Sequence, residues 1–103
     1  MSTETIEDLL GEILVDCYGE DEQLCAFLNA FSEEVPVPAE ASIIGQRVEV
    51  LEFDYDGNPL RGLTASCRSG DGSVHNVSVA DLSFPATSPA APYHAAYRSW
   101  LGQ

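Results

Sequence analysis

Ile6, Leu9, Leu10, Ile13 and Leu14 fall at i, i+3, i+4, i+7 and i+8, which places them on one stripe of a helix. Thr5, followed three residues later by Asp8 with Glu4 and Glu7 alongside, sets a hydroxyl and acid where a helix N-terminus wants them. Leu24, Phe27, Leu28 and Phe31 repeat the same spacing. Gly19 between the two stripes permits a bend or a short break, and Pro36 and Pro38 stop the helical pattern.

From Arg47 the period changes to two. Val48, Val50 and Glu52 alternate with Glu49, Leu51 and Phe53, as in a strand. Asp54 to Pro59 is dense in turn residues, with an Asp-Gly hairpin signal at Asp56-Gly57. Leu60 to Arg68 returns as a strand, and Ser69-Gly70-Asp71-Gly72 makes the next turn. A third strand carries Val74, Val77 and Val79. A tight turn at Ala80-Asp81-Leu82 leads to a short final strand ending at Phe84-Pro85. Residues 85–92 read as a proline-stiffened connector. Ala95, Ala96, Tyr97, Trp100 and Leu101 give a short terminal helix whose aromatic residues pack its seam.

The expected architecture is therefore α+β. It is a single domain over residues 1–103, with an acidic helical region at 1–35, a small antiparallel SH3-like β-barrel at 45–85 and a C-terminal helix at 93–101.

Charge changes the picture. The 103 residues carry 17 acids against four arginines and no lysine, a formal net charge of −13. Eleven of the carboxylates lie in residues 1–46, where no basic residue occurs. Such a surface argues against nucleic acid or anionic membrane as partner, because those need Lys and Arg to neutralise phosphate. It favours cations or a basic protein, since bound positive charge relieves self-repulsion. No stretch approaches the length of a membrane span, and the acidic N-terminus lacks the positive start of a signal peptide, so a cytoplasmic location is expected. Cys17, Cys25 and Cys67, odd in number and without CxxC spacing, are expected to be reduced and mostly buried.

Two segments concentrate acid. One is Asp16-Cys17-Tyr18-Gly19-Glu20-Asp21-Glu22, and if it is helical Asp16 and Glu20 share one face. The other is Asp54-Tyr55-Asp56-Gly57-Asn58, which offers three side-chain oxygens in one turn. It is not an EF-hand loop, because no glutamate follows at the required distance and no helix pair flanks it. Enzymatic constellations are absent: His75 and His94 have no ligand spacing, His94 is expected at the surface or an interface, and no nucleophile elbow or phosphate loop occurs. The chain is read as a binder and not as an enzyme.

The series Ile13 to Gln23, then Phe27-Leu28, Pro36-Val37-Pro38-Ala39, Gly45-Gln46-Arg47-Val48-Glu49-Val50, Val77-Ser78-Val79-Ala80-Asp81-Leu82 and Tyr93 to Trp100 resembles the small acidic calcium-binding proteins of the CcbP type. These carry a V-D-x-Y-x-E-x-E-like segment, matched here by Val15 to Glu22, with Gly19 where the pattern has an acid. The resemblance implies Ca2+ binding by carboxylates without EF-hands, with Asp16, Glu20 and Glu22 as ligands by matching position. Asp54 and Asp56 are added on charge, and Asp71 lies in a comparable loop. The expected role is buffering or sensing of calcium. The alternative is an acidic interaction module, or nucleic-acid mimic, that binds a basic partner through its acid and aromatic residues.

Overall fold

A computed structural model describes residues 5–102. Its elements run α1 (Ile6–Ile13), α2 (Glu20–Glu34), β1 (Ala39–Ile43), β2 (Gln46–Tyr55), β3 (Leu63–Ser69), β4 (Val74–Ser78), a 3-10 turn (Val79–Asp81) and α3 (Ala90–Trp100). Glu4, expected to help start α1, lies outside the described residues.

α1 begins as the sequence requires. Thr5 Oγ1 accepts from the Asp8 N–H at 3.1 Å, and the Thr5 N–H donates back to Asp8 Oδ2 at 3.3 Å. This reciprocal pair satisfies two of the N–H groups that a helix start leaves unpaired. The helix stops at Ile13 and the chain turns through Asp16, whose φ of 60° is left-handed. Asparagine and aspartate tolerate that region better than most residues. Gly19, in extended conformation, then opens α2. Of the two predicted stripes, Leu9, Leu24, Phe27 and Phe31 are buried, and Leu10, Ile13, Leu14 and Leu28 pack around them.

The four strands form one antiparallel sheet in the order β1-β2-β3-β4. The first of them was not foreseen. Ala39-Glu40-Ala41-Ser42-Ile43 is poor in β-branched and aromatic residues, so it carries little strand signal. Its hairpin turn uses Ile44 and Gly45, both at positive φ (51° and 76°), where asparagine and glycine are the usual pair. The β unit thus starts at Ala39, ahead of the expected residue 45.

In β2 a bulge between Val50 and Glu52 inserts one extra residue and reverses the alternation. Phe53 consequently joins Val48 and Val50 in the core and Glu52 faces water, the opposite of an unbroken period of two. β3 starts at Leu63, which leaves Leu60 in the turn and 96% exposed. Val79, expected in a strand, is fully buried in the 3-10 turn.

The sheet is open: β1 and β4 are its two ends and do not pair with each other. The closed SH3-like barrel is therefore not formed by these strands. The expected final strand is reduced to one bridge, in which Ser42 and Ser83 exchange two backbone bonds of 2.8 Å. Continuing that register sets Pro85 opposite Glu40, and proline has no N–H with which to extend a ladder.

α2 and α3 cover the inner face of the sheet. Phe31 stacks on Phe53 at 4.8 Å between centroids, and Tyr97 meets Phe27 and Phe31 edge-on at 5.3 and 6.3 Å. α3 starts at Ala90, three residues earlier than expected. Pro92 sits in its first turn, where no N–H is needed for the helical ladder. Two further expectations are corrected. His94 is buried and not at the surface, with Nε2 2.8 Å from the Val79 carbonyl. Of the three free cysteines only Cys67 is buried, since Cys25 is exposed and Cys17 half-buried.

Candidate metal centre

The acid-rich region is built where three peptide ends meet: the link from α1 to α2, the first turn of α2, and the end of β2 with its following turn. Glu20, Asp21 and Glu22 occupy the first turn of α2. Unpaired N–H groups there present partial positive charge, so three consecutive acids are stabilised by the helix itself. Glu22 Oε2 accepts from the Tyr18 N–H at 3.0 Å and so folds back over the helix start. Asp16 stands outside both helices, in the left-handed turn. The segment is not one continuous helix, so Asp16 and Glu20 do not share a helix face.

Across from this turn, β2 ends at Tyr55. Asp54 Oδ1 accepts from the Tyr55 N–H at 2.8 Å. Asp56 closes an Asx-type turn, with Oδ1 accepting from Asn58 N–H at 2.9 Å and Oδ2 paired to Arg61 at 3.0 Å. Asn58 in turn accepts from the Leu60 N–H at 3.0 Å. The loop thus fixes its own carboxylates, and one of them already faces a cation.

The two acidic segments are joined by a single side-chain bond: the Tyr55 hydroxyl donates to Asp21 Oδ1. Desolvation, then the bond to Asp21 and the nearby charges of Asp21, Cys25 and Asp56, push the Tyr55 phenol up to about 12. Tyr55 accordingly stays a neutral donor at physiological pH and holds the carboxylate of Asp21 toward the β2–β3 turn. On the far side of α2, the Trp100 indole N–H donates to Gln23 Oε1 at 3.1 Å and ties the same helix start to α3.

Of the five residues expected to hold metal, Asp16, Glu20 and Glu22 lie on one side of this junction and Asp54 and Asp56 on the other. All five are exposed. Asp71 lies apart, in the β3–β4 turn, with Oδ1 accepting from the Ser73 N–H at 2.9 Å. Among the described residues, no three His, Cys, Asp or Glu side chains converge on a point that could hold a metal ion. The donors fit a hard cation in kind, being carboxylate oxygens flanked by turn carbonyls. The Tyr55–Asp21 bond joins the two segments, and the carboxylates are not gathered into a cage. Asp21 is the residue that the selection from sequence passed over. Its partner lies 34 positions away, and no local spacing marks such a contact.

No protein-family model matches the sequence, and no curated protein matches it. Solved structures do match by shape. A calcium binding protein in the calcium-binding form superposes with a TM-score of 0.77 at 19% identity, over 97% of this chain and 91% of that one. The crystal structure of Anabaena CcbP superposes with a TM-score of 0.76 at 17% identity, over 100% of this chain and 94% of that one. Both matches cover more than nine-tenths of each chain, so the chain has the CcbP fold.

Proposed function

We propose that this chain binds calcium reversibly at the junction of the α2 start with the β2–β3 turn, acting as a binder and not as a catalyst. The Tyr55–Asp21 bond carries this reading, because it draws the two acidic segments to one edge of a fold shared with a calcium binding protein. Asp16, Glu20, Asp21 and Glu22 would supply carboxylates from one side, and Asp54 and Asp56 from the other. Calcium takes about 6–8 oxygens in flexible geometry, which suits donors drawn together by the ion. Asp56 would exchange Arg61 for the cation, and Glu22 has one oxygen beyond that engaged by Tyr18. Relief of like-charge repulsion at a net charge of −13 favours the bound state. Buffering and sensing of calcium both follow from such a site.

Isothermal titration at about 0.15 M salt, where loosely held ions are screened, tests this. Saturable calcium binding of small-integer stoichiometry is expected, with magnesium much weaker because it demands compact octahedral coordination. Asp16→Asn and Asp21→Asn should each weaken calcium by about tenfold, the equivalent of ~1.4 kcal/mol, while leaving the fold intact. Equal heats for both ions, or no saturable signal at all, would rule the site out.

A further inference from the structure

β4 ends the sheet, and among the described residues no strand pairs with its outer side. The Ser69 N–H donates to the Ser73 carbonyl at 2.8 Å, which closes the β3–β4 hairpin and fixes the phase of the ladder. With Cys67 opposite His75 and Ala65 opposite Val77, antiparallel alternation turns the peptide groups of His75 and Val77 toward β3. Those of Val74 and Asn76 point away, and no described backbone group bonds them. The strand is also open to solvent: Val74 is 55% exposed, and His75 and Asn76 are exposed.

The opposite end of the sheet is treated differently. There Ser83 bonds Ser42, and Pro85 follows along β1. Natural edges are commonly guarded by Lys, Pro or a bulge. β4, with the sequence Val-His-Asn-Val-Ser, has none of these and is the template for one more strand.

Charge selects the occupant. β4 carries no acid or arginine, but Asp71 stands exposed in the turn at one end and Asp81 in the 3-10 turn at the other. A second copy paired antiparallel would bring Asp71 of one chain toward Asp81 of the other and join two charges of −13. A peptide with basic ends meets both acids with opposite charge. We infer that β4 takes an extended peptide as a fifth strand, β-branched in the middle and basic at both ends. Five residues of strand span roughly 17 Å, so about seven residues reach both acids. This site uses none of the residues assigned to calcium.

The test is a titration of the full 15N-labelled chain, at about 0.15 M salt. The probe is an end-blocked heptapeptide, Lys-Val-Thr-Val-Thr-Val-Lys, and its control has glutamate in place of both lysines. Saturable binding of the basic peptide alone is expected, with amide exchange slowed at Val74 and Asn76 and unchanged at His75 and Val77, which already bond β3. Asn76→Pro removes an outward N–H without breaking the β3 ladder, since proline is tolerated on an edge. It should weaken binding by about tenfold, the equivalent of one or two backbone bonds. If that variant loses its dispersed amide spectrum, Val74→Lys, which sets a like charge against the probe, replaces it with the same expectation. Shifts confined to the acids of α1 and α2 would overturn the proposal as diffuse attraction. Protection of the same amides with rising protein concentration and no peptide would assign the edge to a second copy and overturn it as well. Equal binding of the two peptides, unchanged binding by the variants, or no saturation would each do the same.

Discussion

His94 shows how one residue couples burial to pH. It is 7% exposed, packs its ring edge-on against Phe84 at 5.1 Å and holds the Val79 carbonyl through Nε2. Burial pushes it below the ordinary histidine value; the Val79 carbonyl opposes this and the charge of Arg98 adds to it. The unfolded chain therefore takes up this proton first as pH falls. Stability from a neutral His94 is complete above the unfolded value of about 6.5 and is lost as pH drops through the depressed folded one. Glutamine keeps a donor for Val79 but does not titrate. Urea unfolding of the wild type and of His94→Gln between pH 7.5 and 5 should show the wild type losing stability relative to the variant below about pH 6.5. Parallel curves would mean that His94 is protonated equally in both states. Tyr55 is a contrasting residue, since its shift upward leaves its charge state constant over the same range and its role purely that of a donor.

Among the elements, β3 and α3 are locked by one contact. The Tyr97 hydroxyl, fully buried, accepts from the Leu63 N–H at 2.9 Å where β3 begins. The preceding Gly62 has a φ of 64°, and any Cβ there would press into that hydroxyl. Gly62→Ala thus combines a left-handed backbone with overpacking, and a loss of about 2–4 kcal/mol is expected in urea unfolding. A loss below about 1 kcal/mol would show that Tyr97 swings aside without cost. The start of α2 is governed by the same economy of contacts. Its three acids answer to the helix end, Tyr18 and Tyr55, so they serve the fold whether or not an ion is present.

For the whole molecule, charge links ligand to stability. Three arginines of the β half are each paired to an acid, Arg47 with Glu40, Arg61 with Asp56 and Arg68 with Glu49, at 3.0 to 3.3 Å. These exposed pairs add little stability, and most of the negative field remains unopposed. A cation held only by the folded state should raise its stability by RT ln(1 + [L]/Kd), about 2.7 kcal/mol at a hundredfold excess over Kd. The single tryptophan reports unfolding, because Trp100 ties α3 to the start of α2 through Gln23. Urea unfolding followed by its fluorescence should move to higher midpoint with calcium, beyond sodium chloride at equal ionic strength. Equal shifts in the two salts would reduce the effect to screening.

The sequence by itself determined the two helical stripes, the Thr5–Asp8 start of α1, the Asp56-Gly57 turn and the strongly acidic character of the chain. Each depends on residues within a few positions of one another, where periodicity and capping chemistry act. Tertiary structure decided what local pattern could not contain. The bulge at Leu51 moved Phe53 inward, since its ring had to meet Phe31. An alanine-rich segment became β1 because β2 offered it a partner. His94 went inside because Val79 supplied an acceptor. The last expected strand was reduced to a single bridge, with Pro85 unable to extend the ladder. The two acidic segments were legible as donors, but their meeting was not. It rests on Tyr55 and Asp21, 34 residues apart, whose contact exists only once the helix has been laid across the sheet.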